Sequence, residues 1–148
     1  MANYTMRFTE EYQFGGHLYP ANKAVATHNT DWLDMRDHHR AQFIVIVGEM
    51  AAGATVDFKL QEATDSDGSG AQDIDGKSIT QLTQAGGDAN SICVVEIQAE
   101  EMDVADDFRY LRGVLTVGSD TAYASVIPLR GPTRLAPVSV TNITEVVD

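Results

Sequence analysis

The chain predicts an all-β protein: an antiparallel β-sandwich, jelly-roll or immunoglobulin-like, with extended N- and C-terminal arms. Three observations carry that expectation. Val56-Asp57-Phe58-Lys59-Leu60-Gln61 alternates apolar and polar residues without a break, the period of two that puts one face of a strand in a core and the other in water. The same alternation returns from Cys93 to Ile97, Tyr110 to Val117 and Tyr123 to Leu129. No stretch sustains a helical period, and about seven short strands punctuated by Gly, Asp, Ser and Pro suit two packed sheets.

Residues 1–30 read as an irregular N-terminal arm. Tyr4, Phe8, Tyr12, Phe14 and Tyr19 are scattered through it, with a Gly15-Gly16 break and Pro20. So many aromatics call for burial against something. The sandwich domain is assigned to residues 31–130. It begins with a short strand near Asp31 to Met35, with Trp32 as core anchor, and continues into the most apolar stretch, Arg40 to Met50, a central strand ended by Gly48. The turn Ala51-Ala52-Gly53-Ala54 leads to a strand over Thr55 to Glu62, and Asp65 to Gly76 is a polar loop. Ser78 to Gln84 fits a short strand or a helical turn. Ser91 to Gln98 is the next strand and Glu100 to Asp107 an acidic corner. Strands at Phe108 to Val117 and Ala122 to Leu129 are joined by Gly118-Ser119-Asp120-Thr121, which has the composition of a hairpin turn. Residues 131–148 form a C-terminal arm or strand, β-branched and apolar from Val138 to Val147.

Composition narrows the function. With 148 residues the chain suits one domain, burying about two thirds of the surface of its unfolded form. Ten basic against twenty-two acidic residues give a formal net charge of −12, which repels a phosphate backbone; nucleic acid is not an expected partner. No stretch has transmembrane length, and the first residues lack an apolar signal core, so neither a membrane partner nor export is expected; the site of synthesis is a cytoplasm. Cys93 is the single cysteine, which rules out an intrachain disulfide.

Catalytic chemistry finds no foothold. There is no Gly-x-Ser-x-Gly elbow and no glycine-rich phosphate loop. Cys93, within an apolar strand, reads as an inert thiol, and Glu100, Glu101, Asp103, Asp106 and Asp107 as a solvated corner. The weak metal candidates are Asp65, Asp67 and Asp73. Asp65-Ser66-Asp67-Gly68 resembles the start of a calcium loop, but Gly76 stands where the bidentate glutamate belongs. A solvated loop is the better account, and no cofactor is expected. His38 and His39, beside Asp34 and Asp37, read as exposed loop histidines, since neighbours on an extended chain point apart. Basic residues are scarce enough for their placement to matter. Arg36, Arg40, Arg130 and Arg134 are candidates for partner contacts, together with Tyr12 and Phe14 of the arm; ordinary solvated or internally paired arginines are the competing account.

Several segments together resemble a group of small head-associated proteins of tailed, siphovirus-like bacteriophages, the capsid cement or decoration proteins. They are Trp32-Leu33-Asp34-Met35, the strand from Phe43 to Gly48, Thr55 to Asp65 with the loop through Gly76, Ser78-Ile79-Thr80-Gln81-Leu82-Thr83, Met102-Asp103-Val104-Ala105, Phe108-Arg109-Tyr110-Leu111-Arg112, and Thr121-Ala122-Tyr123-Ala124-Ser125. The resemblance implies a non-enzymatic virion protein, made in the host cytoplasm, that sits on the outer capsid surface. There it is expected to bind the major capsid protein lattice, often as a homotrimer, and to stabilise the head. It carries over no catalytic residues. The rival expectations are another phage structural role (tail tube, tail terminator or head–tail joining) and a carbohydrate-binding module using Trp32 or Tyr123 as a stacking platform.

Overall fold

The long alternating segments pair as their patterns require. A computed structural model describes residues 5–135 and 142–147. A short helical turn, α1 (Phe8–Glu11), precedes β1 (Gln13–Phe14), β2 (Leu18–Lys23), β3 (Ala26–Asn29), β4 (Leu33–Asp34), β5 (Arg40–Met50), β6 (Thr55–Ala63), β7 (Gln72–Ser78), β8 (Leu82–Thr83) and β9 (Ser91–Gln98). Two 3-10 turns, Ala99–Glu101 and Val104–Asp106, lead to β10 (Tyr110–Gly118) and β11 (Ala122–Arg130).

All the pairings are antiparallel, and they form two sheets that pack face to face. In the first, β1 and β2 both flank β11, followed by β5 and β9; in the second, β3 and β4 flank β10, followed by β6 with β7 and β8 on its far side. Lettered B to I, the strands β2, β3, β5, β6, β7, β9, β10 and β11 give the orders B-I-D-G and C-H-E-F. That is the jelly-roll arrangement, which decides between the two topologies the sequence left open.

The core lies between the inner faces. Phe43, Val45 and Val47 of β5 face it from the first sheet, opposite Val56, Phe58 and Leu60 of β6 and Leu111, Leu115 and Val117 of β10 from the second. Phe43 and Phe58 meet across the sandwich with ring centroids 5.9 Å apart. Gly113 on β10 makes room for them: a Cβ there would lie 2.5 Å from Phe58 Cζ and 3.0 Å from Phe43 Cδ1. Among the described residues the Glu62 carboxylate is also buried. It accepts hydrogen bonds from Gln72 Nε2 at 2.8 Å and from the Asp103 backbone N–H at 3.0 Å, which offsets its desolvation.

Several local expectations are corrected. Residues 18–29 are not an irregular arm: β2 pairs with β11 and β3 with β10, so this stretch supplies a margin of both sheets. The strands escaped notice because this margin is mostly exposed and carries no clean alternation. The turn at residues 118–121 is not a hairpin: β10 and β11 belong to opposite sheets, so it is an arch between layers. Turn chemistry reports a reversal of direction and not which strands then pair. The polar loop Asp65 to Gly76 contains most of β7, where Gln72, Asp73 and Asp75 are exposed and only Ile74 turns toward the core. Strand β5 continues past Gly48 to Met50. Trp32 is half-buried; Leu33 and Met35 provide the anchor instead.

After β11 the chain doubles back over the start of the domain. Gly131 N–H donates to the Arg40 carbonyl at 2.8 Å, Thr133 N–H to the Glu11 carbonyl at 2.9 Å and Arg134 N–H to the Asp37 carbonyl at 2.7 Å. Gly131 permits this approach, because a Cβ would sit 2.6 Å from Tyr12 Cδ1. The expectation for Val138 and Val140 falls outside the described residues.

Candidate functional site

The two outer faces of the sandwich differ in kind. On the second sheet they are polar and mutually satisfied. Asp73 accepts from Lys59 Nζ and from Gln61 Nε2, both at 2.7 Å, while Gln61 Oε1 accepts from Arg112 Nη2 at 2.8 Å. Asp57 accepts from Gln81 Nε2 at 2.7 Å. The Arg112 guanidinium lies 4.4 Å above the Trp32 ring. These bonds hold Asp73 below the usual carboxylate range, the Lys59 hydrogen bond acting most strongly.

The outer face of the first sheet is apolar. Register places Ile92, Ile46 and Ser125 in one row across β9, β5 and β11, and Val94, Ile44 and Ile127 in the next. Ile92 is 67 % exposed and Val94 50 %. Tyr123 and Tyr19 extend the patch toward β2 and are likewise exposed. Charges stand at its rim, with Arg40 and Glu96 at one end and Glu49 at the other. An apolar sheet face of this kind is the sort of surface on which interaction sites are built.

At the Arg40 end the face runs into a cleft of about 530 Å³ lined by Phe8, Tyr12, Arg40, Lys77, Glu96 and Leu129, among others. Phe8 stacks on Tyr12 with centroids 4.3 Å apart, and Arg40 Nη2 lies 3.4 Å from the Tyr12 hydroxyl. Of the residues expected at a partner interface, Arg40 and Tyr12 therefore meet at the margin of this face. Phe14, in β1, is half-buried, and Arg36 and Arg134 are exposed.

Arg130 turns inward, where Nη1 donates to the Asp34 carbonyl at 2.7 Å and Nη2 to Gln13 Oε1 at 3.1 Å. It ties β4 and β1 to β11, the internal pairing of the competing account. His38 is a correction: it is 5 % exposed, whereas His39 is exposed as expected. Burial, with Arg130 nearby, lowers the His38 pKa from 6.5 to about 4, against the opposing pull of Asp37 and Asp34; Arg134 lowers it further. The folded chain thus holds His38 neutral, while the unfolded chain protonates it near pH 6.5. Its contribution is fully present above pH 6.5 and is lost as pH falls toward 4. After allowance for solvent screening this amounts to about 1–2 kcal/mol. Urea denaturation at pH 7 and pH 4.5 measures the loss, and His38→Gln is expected to flatten it. An unchanged pH slope in that variant would refute the assignment.

The weak metal candidates are not brought together. Asp65 Oδ1 accepts the backbone N–H groups of Asp67 and Ser69 at 2.9 and 3.0 Å, closing its own loop. Hydrogen bonds from Ser69 lead the causes that lower its pKa. Asp73 is engaged by Lys59 and Gln61, on the neighbouring strand. Among the described residues no three His, Cys, Asp or Glu side chains form a metal-binding group. Trp32 is half-buried, with Arg112 over one face of its ring and Gly68 so close that a Cβ there would lie 2.7 Å from Nε1, which leaves less of the ring for a sugar. Cys93 is half-buried in β9. No described helix is long and apolar enough to cross a membrane. No protein family, curated protein or solved structure matches the chain.

Proposed function

We propose that this chain is a structural virion protein, a cement or decoration protein that docks the apolar face of its first sheet on the outer surface of a phage major capsid lattice. The observation that carries this reading is the contrast between the faces. Ile44, Ile46, Ile92, Val94 and Ile127 present an uncharged patch, whereas the opposite face satisfies its own polar groups and suits solvent. Docking buries the apolar patch and leaves the acidic remainder in water. The formal charge of −12 agrees with a position outside the shell and away from packaged DNA. Many copies on one lattice convert modest single contacts into strong retention. The protein acts through burial of surface, without chemistry.

Sedimentation of the purified protein with expanded capsids that lack it tests the proposal. Saturable co-sedimentation and a raised capsid melting temperature are expected. Absence of binding, with rings or tubes forming in solution, would transfer the protein to the tail or neck. Retention on a glycan column without capsid binding would overturn the structural role altogether.

A further inference from the structure

The margin of the first sheet at β9 is open over part of its length. Ala99 donates its backbone N–H to the His39 carbonyl at 2.8 Å, which sets the phase of the β5–β9 ladder. Residues 91, 93, 95 and 97 exchange hydrogen bonds with β5, while Ile92, Val94 and Glu96 turn their N–H and C=O groups off the sheet. One end of that margin is covered. Lys77 Nζ donates to the Glu96 carbonyl at 3.0 Å and pairs with Glu101 at 2.9 Å, and Glu101 Oε2 accepts the Gln98 N–H at 2.7 Å. At Ile92 and Val94 nothing comparable stands guard: among the described residues no strand pairs with this side of β9. A groove of about 540 Å³ runs beside it, lined by Ile79, Leu82, Cys93 and Val95, among others. Edge strands are ordinarily blunted by charge, proline or a bulge, and this one carries exposed apolar side chains.

The same chain carries a segment suited to that edge. Val138 to Val147 reads Val-Ser-Val-Thr-Asn-Ile-Thr-Glu-Val-Val, β-branched at most positions and with one charge. Its described residues, 142–147, pair in no strand, and Val146 and Val147 are 40 % and 86 % exposed. Asn142 Nδ2 donates to the Phe14 carbonyl at 3.0 Å, which places this residue beside β1. β1 and β9 are the opposite margins of one sheet. We infer that residues 138–147 of a second copy add to the free side of β9 as a further strand. Main-chain hydrogen bonds to Ile92 and Val94 supply the attachment, and alternate side chains enter the groove. Two copies that each carry a charge of −12 repel one another, so the contact has to be made by nearly uncharged surfaces, and these two are. Donor and acceptor on opposite margins give a head-to-tail contact, which closes into a ring or continues from copy to copy.

The test is made without capsids, so its outcome is separate from the docking proposal. Because Cys93 is the single cysteine, single variants Val140→Cys, Ile143→Cys, Thr144→Cys and Val146→Cys are oxidised and their masses compared. Interchain disulfides are expected at one or two positions of matching face. Purely intrachain disulfides, or none at any position, would overturn the inference. A complementary variant, Val94→Pro, removes an N–H that β5 does not use, so the fold tolerates it. Light scattering is expected to show self-association in the native chain and its loss in Val94→Pro and in a chain shortened to residue 137. A native chain that stays monomeric at every concentration, or association that survives the shortening, would contradict strand addition.

Discussion

Ile92→Glu combined with Val94→Glu is expected to abolish capsid binding while leaving the fold intact. Both side chains project from the outer face of the first sheet and are at least half exposed, so folding stability is expected to change by no more than about 1 kcal/mol. Binding is another matter. Docking strips water from whatever occupies the centre of the patch, and an unpaired carboxylate there costs several kcal/mol. Even about 3 kcal/mol lowers affinity roughly 100-fold, and two substitutions in neighbouring rows leave no apolar path around them. The expected pattern is an unchanged unfolding transition beside loss of co-sedimentation. Loss of both together would mean that the patch is a part of the core and not a docking surface.

Phe58→Ala is expected to produce the largest loss of stability. Phe58 is 1 % exposed and packs against Phe43, itself fully buried, over a glycine. Truncation removes the transfer free energy of the ring and leaves a cavity between two sheets that cannot collapse independently. Losses of about 3–5 kcal/mol are typical of such sites, a large share of the stability of a domain this size. The Gly113 position supplies an internal check. Gly113→Ala alone drives a methyl into the ring and is expected to cost about 1–3 kcal/mol. Combined with Phe58→Leu, the added methyl finds space, so the double variant is expected to be more stable than the sum of the two single losses. Additive losses would show that the two positions do not share one packing volume. Urea denaturation of Phe58→Ala, Gly113→Ala, Phe58→Leu and the double variant measures these losses.

Much of the sandwich was legible because its long strands are half-wet: β6 and β10 alternate cleanly, and their inner residues were identifiable from period alone. Short margin strands were not. β2, β3 and β7 are held by main-chain pairing to longer neighbours while most of their side chains face water, and single inward residues such as Leu18 and Ile74 make no periodic signature. The arch at residues 118–121 has the composition of a hairpin, since glycine and aspartate report a turn and are silent about partners. Of the candidate contacts, Arg40 and Tyr12 reach the margin of the apolar face. Arg130 is consumed by Asp34 and Gln13, groups far away in sequence that only the tertiary fold brings near. The apolar outer face of the first sheet also left a signal. Phe43-Ile44-Val45-Ile46-Val47 is apolar on both faces, which in a sandwich strand with one wet side has no reason to occur. The run marks a strand inside its sheet, and its outer half is apolar as well. Its outward half, Ile44 and Ile46, is the centre of the patch.

The most direct test of the docking face compares three proteins in one capsid sedimentation titration: the native chain, the Ile92→Glu, Val94→Glu double variant, and Thr116→Glu on the outer face of the second sheet. If the first sheet is the docking side, the native chain and Thr116→Glu saturate the capsids with equal affinity and the double variant stays in the supernatant. Binding lost in Thr116→Glu and kept in the double variant would place the shell against the polar face and contradict the account.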